Sequence, residues 1–362
     1  MRNGLLPRLR RLGAATVRRS GGIPAELYRG AGLRSGNNRL GPGTPSALLA
    51  EPGSATVAKG VEFAGLRLPT PLIAASGTFG YGDEYREVAD YDCIGAISVK
   101  GLYLEPREGC PPPRIWETPS GMLNAIGLQE VGIRRFLADK LPAVRALGKM
   151  VIANICGSSL EEYGELSRIL DQAEGVSAIE VNISCPNVAE GGIEFGCDPD
   201  MAARATAVVR RGTRLPVIPK LSPSASDMAA VARRVAEAGA DAVSLINTIP
   251  AMAVDVETRR PRLANVVGGL SGPAVRPIAV RMVWEVAQGS RLPVIGMGGI
   301  ANAEDALEFL LVGAAAVQIG TMNFVDPGVW RRTFDGLAAY CRRHEVAALR
   351  DLTGAMRPGS AG

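Results

Sequence analysis

Histidine is almost absent: the chain has one in 362 residues, His344, near the C-terminal end. It falls in "YCRRHEVAALRD", a helical pattern where it reads as a solvated side chain, so a cysteine or serine nucleophile elsewhere has no histidine base. Aromatic residues make up only 5 %, too few to suggest a base-stacking nucleic-acid platform. The six cysteines, at 93, 110, 156, 185, 197 and 341, form no C-x-x-C pair. Metal or iron–sulfur ligation within the chain is therefore not expected, and thiols this scattered read as reduced rather than as a disulfide framework. No apolar run reaches the roughly 18–20 residues that span a bilayer. The greasiest stretch, residues 309–322, is interrupted by Gly313 and Gln318 and reads as a helix end, a turn and a buried strand.

Acidic residues are nearly missing from the first 50 positions. Nine arginines, no lysine and Glu26 give that segment +8, so the +4 of the whole chain leaves −4 for the remainder. A negatively charged body argues against a nucleic-acid surface. The stretch "LLPRLRRLGAATVRRS" has the composition of a targeting peptide, but a disordered extension or a start codon set too far upstream is the plainer reading. "SGNNRLGPGTPSALLAEPGSA" reads as linker. The expected organisation is an Arg-rich, Gly/Pro-containing disordered extension over 1–57, one large α/β domain over 58–345 and a tail over 346–362.

From about residue 60 the pattern changes to short, continuous apolar runs: "LIAAS" (72–76), "AISVK" (96–100), "MVIANI" (150–155), "AIEVNIS" (178–184), "PVIPKL" (216–221), "AVSLIN" (242–247), "PVIGMGG" (293–299) and "AVQIGT" (316–321). Runs without alternation suit strands buried on both faces, as in parallel sheets. Each is followed by a longer helical pattern, such as "DMAAVARRVAEAGA", with starts at Asp227 and near Asn302 and ends at Gly239 and Gly313. Eight such units in series predict a closed (β/α)8 TIM barrel. An open doubly wound sheet is the weaker alternative, since no G-x-G-x-x-G follows the first strand.

The runs end on Ser76, Lys100, Asn154, Asn182 with Cys185, Lys220, Asn247 with Thr248, Gly298 with Gly299, and Gly320 with Thr321. In this barrel the C-terminal strand ends share one mouth, where active sites form. One strand-end Asn or Gly alone is a turn residue; eight polar or glycine-bearing ends are a constellation. Glycines after strands 7 and 8, with "GGLSG" (268–272) before a helix, suit a phosphate held by backbone N–H groups. The asparagines 124, 182, 187 and 247 offer paired donors and acceptors that match ring N–H and C=O groups. Lys100 and Lys220 suit a carboxylate or negative charge on a reduced ring cofactor. Cys185 lies past a strand end, in a glycine-rich loop long enough to act as a lid, and without histidine or metal partners the role that fits is general base.

These residues resemble the class 1 dihydroorotate dehydrogenases, most closely the class 1B catalytic subunit, over about 61–327. The motifs are "ASGTFGYGDEY", "SVKGLYLEPREGCPPPRIWETPSGMLNAIGLQ", "VNISCPNVAEGGIEFGCDP", "VIPKLSP", "INTIPAMAVDVETRRPRLANVVGGLSGPAVRPIA" and "GMGGIANAEDALEFLLVGAAAVQIGT". The resemblance implies an FMN-binding barrel, one FMN per chain, that oxidises dihydroorotate to orotate in pyrimidine (UMP) biosynthesis in the cytoplasm. It implies FMN binding by Ser76, Lys100, Gly101, Asn154, Asn182, Lys220, Ile246, Gly272, Gly298, Gly299, Gly320 and Thr321. Substrate binding falls to Lys100, Asn124, Ala125, Ile126, Gly127, Leu128, Asn182, Asn187, Asn247 and Thr248. Cys185 would take the C5 proton while hydride leaves C6. Class 1B enzymes pass electrons to NAD through a subunit holding FAD and a [2Fe–2S] cluster, which implies a homodimer within a heterotetramer; this chain has no cluster ligands of its own. Cys110 departs from the expected "REGNPPPR", and the basic N-terminus lies outside the family pattern. The competing readings are a dihydropyrimidine dehydrogenase-like FMN oxidoreductase, a tRNA-dihydrouridine synthase, against which the body's charge speaks, and a non-catalytic protein that kept the fold.

Overall fold

A computed structural model describes residues 57–184, 186–187 and 193–357. The extension expected over 1–57 therefore lies, but for Val57, outside the described residues. All eight apolar runs form strands: β1 Leu72–Ala74, β2 Ala96–Ser98, β3 Met150–Ile155, β4 Val176–Asn182, β5 Val217–Lys220, β6 Val243–Leu245, β7 Val294–Met297 and β8 Ala314–Ile319. Each pairs in parallel with its sequence neighbours, and β8 pairs with β1, closing the (β/α)8 barrel.

Helices follow β3 to β8 as the patterning predicts. Asp227 accepts from Ala230 N at 2.8 Å and Asn302 from Asp305 N at 3.0 Å, each occupying one of the orphan N–H groups that open a helix. Gly239 and Gly313 take φ of +97° and +125° just past the helix ends. The stretch 309–322 divides as expected between the end of helix Ala303–Leu311, a turn and β8. The first β/α unit differs. Between β1 and β2 only a 3-10 turn forms, Tyr91–Cys93. Gly77, Gly80 and Gly82 adopt positive φ there, which interrupts a helix, and Phe79 instead stacks on Tyr85 at 4.5 Å. The last helix, Val329–Arg343, covers that side: Trp330 meets Phe79 edge-on at 5.7 Å and Arg331 pairs with Asp90 at 2.6 Å.

The β-strand alternation stacks the barrel interior in layers. The lowest layer is apolar: Ile73, Ala96, Ile152, Ala178, Ile218, Ala242, Ile295 and Ala316. Phe63, Leu66 and Leu68, from the hairpin Val61–Phe63 with Leu66–Leu68, pack beneath it and close the floor. Two residues further along come Ser98, Asn154, Glu180, Lys220, Ser244 and Gln318, all buried and all polar. Past these the strands open into the mouth. A four-stranded antiparallel sheet stands beside it, built from Ile115–Thr118, Gly121–Asn124, Gly268–Ser271 and Ile249–Ala251. Residues beyond 345 also pack onto the domain: Ala58 N and Leu349 N bond to Ala347 O and Ala58 O at 3.0 and 2.9 Å, and Leu349 and Leu352 are buried.

Candidate active site

The strand-end residues meet at the mouth. Asn247 Nδ2 donates to Asn182 Oδ1 at 3.5 Å, and Asn182 Nδ2 reaches Cys156 Sγ at 3.4 Å, linking β6, β4 and β3. Asn182 is further fixed by Tyr163, whose hydroxyl donates to its carbonyl at 2.6 Å. Lys220 Nζ donates to Ser76 Oγ at 3.4 Å across the barrel. Gly101 lies against Asn154 and Cys156, and a Cβ there would fall 2.9 Å from Cys156 Sγ. Lys100 sits two residues past β2. Burial pushes its ammonium below the usual lysine range, while the nearby Glu84 and Glu130 carboxylates work in the opposite direction.

The side sheet brings the proposed substrate segment to the same place. Asn124 pairs with Gly269, and its Nδ2 donates to Gly269 O at 3.3 Å. Thr248 packs directly on Gly269: a Cβ on that glycine would lie 2.0 Å from Thr248 Oγ1. Thr248 N itself bonds to Asn247 Oδ1 at 2.8 Å. Ala125, Ile126, Gly127 and Leu128 then turn away, with φ of +71° at Gly127 and +55° at Leu128. Cys110 lies under this turn; its N–H donates to Ile126 O at 3.0 Å and its thiol fills the space a Gly127 side chain would need.

The glycine-bearing ends form a cradle. A Cβ at Gly272 would fall 2.7 Å from Gly121 Cα, and one at Gly299 would fall 2.7 Å from Gly272 O. Gly298, with φ of +132°, lies beside Ile246, and Gly320 lies beside Ala75. Thr321 Oγ1 donates to Ser271 Oγ at 2.9 Å. Behind the cradle Arg276 pairs with the buried Asp305, which accepts from Ala301 N at 2.8 Å and so ties the β7 loop to the helix Arg276–Gly289. Backbone free of side chains, converging with a helix start after β7 and β8, suits a phosphate monoester. The site thus fits FMN in both of its parts, a phosphate cradle and a buried polar layer under a ring.

Cys185 lies outside the described residues, as does most of the loop expected to act as a lid. Asn187 is placed through its backbone in the short strand Pro186–Asn187, paired with Ile193–Glu194. Among the described residues no group of three or more potential ligands could hold a metal, and no helix is long and apolar enough to cross a membrane. Cys93 is inert by burial, its thiol pushed up to about 11. His344 is exposed and stacks on Tyr340 at 4.2 Å, far from any role as base.

Two residues of this site were missed in the sequence. Cys156 contacts both Asn154 and Asn182 from within the wall. Glu180 is fully buried and gathers four hydrogen bonds from four other strands. The signal was present: a carboxylate inside the apolar run "AIEVNIS", two positions before Asn182 and hence facing the same interior.

The comparisons with known proteins agree with this geometry. The family model described as dihydroorotate dehydrogenase matches residues 59–340. The chain belongs to the dihydroorotate dehydrogenase family. Among its curated relatives, the catalytic subunit of dihydroorotate dehydrogenase B (NAD(+)) from Geotalea daltonii is 52 % identical over 297 residues, covering 82 % of this chain and 97 % of the relative. The subunits of the same name from Geotalea uraniireducens and Geobacter sulfurreducens are each 53 % identical over 296 residues, with the same coverage. The matched span takes in every dihydroorotate dehydrogenase motif quoted above and leaves out the basic N-terminus.

Proposed function

We propose that this chain is the FMN-bearing catalytic subunit of an NAD-linked dihydroorotate dehydrogenase, oxidising (S)-dihydroorotate to orotate in the cytoplasmic route to UMP. One observation supports the reading: Asn182, Asn247, Thr248 and the Asn124 strand meet at one mouth, beside a side-chain-free cradle that suits a phosphate. FMN, held by Ser76, Lys100, Gly101, Asn154, Asn182, Lys220, Ile246, Gly272, Gly298, Gly299, Gly320 and Thr321, would supply the acceptor for the C6 hydride.

The chain's own groups do the rest. Lys100 offers a cation to the substrate carboxylate in a site dry enough to disfavour the free ammonium, so pairing there is worth more than at a surface. Asn124, Asn182 and Asn247, with Asn187 and Thr248, hold the ring amides, and residues 125–128 close one side. Cys185, in the loop after β4, removes the C5 proton; a thiol with an ordinary value near ~8.5 needs only modest help to do so near neutrality. A partner subunit carrying FAD and a [2Fe–2S] cluster, in a heterotetramer built on a homodimer, would supply the route by which electrons reach NAD. The names of the relatives support the NAD linkage, and the chain's lack of paired cysteines supports a separate cluster-bearing subunit.

The test is dihydroorotate oxidation by the purified chain with fumarate, quinone and NAD compared, with and without the electron-transfer subunit. NAD reduction only with that subunit is expected. A colourless chain that cannot be reconstituted with FMN would overturn the reading, and uracil turnover above dihydroorotate turnover would transfer it to the dihydropyrimidine dehydrogenase class.

A further inference from the structure

Glu180 stands directly below the mouth, and its surroundings are unusual for a barrel core. Both carboxylate oxygens are saturated. Oε2 accepts from Ser98 Oγ at 2.9 Å and Asn154 Nδ2 at 2.6 Å; Oε1 accepts from Ser244 Oγ and Gln318 Nε2, each at 2.8 Å. These donors come from β2, β3, β6 and β8, and all four are neutral. The charged side chain that acts on Glu180 is Lys220 of β5, next to β4 in the barrel. Burial alone would push the carboxyl up; Lys220 and the hydrogen bonds outweigh it and hold the group below the usual carboxylate range. A buried carboxylate with four donors and a cation is the arrangement in which the ionised form is retained.

Two of the groups bonded or coupled to Glu180 are FMN-binding candidates. An ionised carboxylate only accepts, so Asn154 must turn its NH2 toward it. The Asn154 carbonyl oxygen then faces the mouth, where it accepts from Cys156 Sγ at 3.7 Å and lies 3.2 Å from where a Gly101 Cβ would be. Lys220, in turn, points across to Ser76. One buried anion thus sets both the orientation of an amide and the net charge of the layer under the mouth.

We propose that Glu180 is an ionised positioning residue of the flavin site, presenting the Asn154 carbonyl to the cofactor and offsetting the positive charge of Lys220 beneath it. The inference rests on FMN occupying this mouth. Its consequence is electrostatic. Reduced flavin carries more negative charge than oxidised flavin, so a layer under the mouth that has lost Glu180's charge but kept Lys220 favours the reduced form. Glu180→Gln preserves the shape and removes the charge. It also sets an NH2 against donors that had faced an oxygen, so Asn154 or Gln318 must turn round.

The experiment is the midpoint potential of the flavin, measured in the flavin-loaded chain by dye equilibration. For Glu180→Gln we expect a positive shift of at least tenfold in the reduced-to-oxidised ratio, about 30 mV for a two-electron couple, together with weaker FMN retention. Ser244→Ala removes a neutral donor and keeps the charge, so its potential should stay within threefold of wild type. A wild-type potential in flavin-loaded Glu180→Gln overturns the inference, as does an equal shift in Ser244→Ala, which would assign the effect to packing. If Glu180→Gln gives no soluble flavoprotein, Lys220→Met decides. Glu180 without its cation should become protonated and show a carboxylic-acid stretch in the infrared difference spectrum against wild type; its absence overturns the inference. A wild-type chain that takes up no FMN overturns the cofactor reading and this inference with it, whereas an unchanged potential in the loaded variant overturns this inference alone.

Discussion

Replacing Gly269 by alanine tests whether the two substrate-facing segments are held at one crossing. An ideal Cβ there falls 2.0 Å from Thr248 Oγ1 and 2.5 Å from Thr248 Cβ. Rotating the hydroxyl relieves the first contact but not the second, because a Cβ moves only with its backbone. Either Ile249–Ala251 or Gly268–Ser271 must therefore shift. Pro250 pairs with Gly269, and Gly269 pairs in turn with Asn124. Whichever strand yields, Asn124 and Thr248 separate. Overpacking of this kind costs about 1–3 kcal/mol. If bound ligand must draw both segments back, that cost appears in binding, a loss of roughly 5- to 150-fold in affinity. The assay is titration of orotate into the flavin-loaded protein, read by visible absorbance, with FMN content and melting temperature alongside. FMN content should change less than orotate affinity, since the clash falls on Thr248 and not on Gly272, Gly298, Gly299 or Gly320. An orotate affinity equal to wild type would refute the crossing as the point that sets substrate geometry.

Cys185→Ala should keep the yellow flavin and lose most turnover, and Cys185→Ser should be slow at neutral pH and recover partly at high pH, because a hydroxyl yields its proton less readily; a pH–rate profile of each variant checks both. Lys100, its ammonium pushed down by burial, should lose its proton below the ordinary lysine pKa of 10.5. Since only the ammonium pairs with the substrate carboxylate, kcat/KM for dihydroorotate should fall on the alkaline side ahead of that value, and Lys100→Arg should abolish this limb; a limb unchanged in the arginine variant assigns it elsewhere. Deletion of residues 1–50 should leave FMN binding intact, measured by flavin absorbance per chain, because the family match begins at residue 59.

The barrel was legible because its strands are buried on both faces and so appear as uninterrupted apolar runs. The helix boundaries were legible where a side chain caps them, as Asp227 and Asn302 do. The first β/α unit was not, because its glycines and tyrosines are spent on an aromatic cluster whose partner, Trp330, lies more than two hundred positions away. No local pattern carries that information. The side sheet was likewise hidden: it joins residues near 120 to residues near 270, and each strand is too short to declare itself. What brought the Asn124 segment to the mouth in the sequence was the family resemblance, and what explains it in the structure is the Asn124–Gly269–Thr248 crossing.

Glu180 shows where residue-by-residue reading stopped one step short. The polar groups singled out in the sequence were those at or just past the end of each apolar run. Yet a strand-end side chain that points inward has its own support two residues earlier, on the same face. For β2 that pair is Ser98 under Lys100, for β3 Asn154 under Cys156 and for β4 Glu180 under Asn182. Asn154 and Lys220 belong to this buried layer themselves, and without Glu180 the amide would lose its acceptor and the ammonium its nearby anion, at a cost of several kcal/mol for the cation alone. The polar mouth of this narrow barrel is backed by a polar layer, and the buried lysine within that layer has an anion on the neighbouring strand. The acid in "AIEVNIS" is thus a physical consequence of the lysine in "VIPKL", on the neighbouring strand of the barrel.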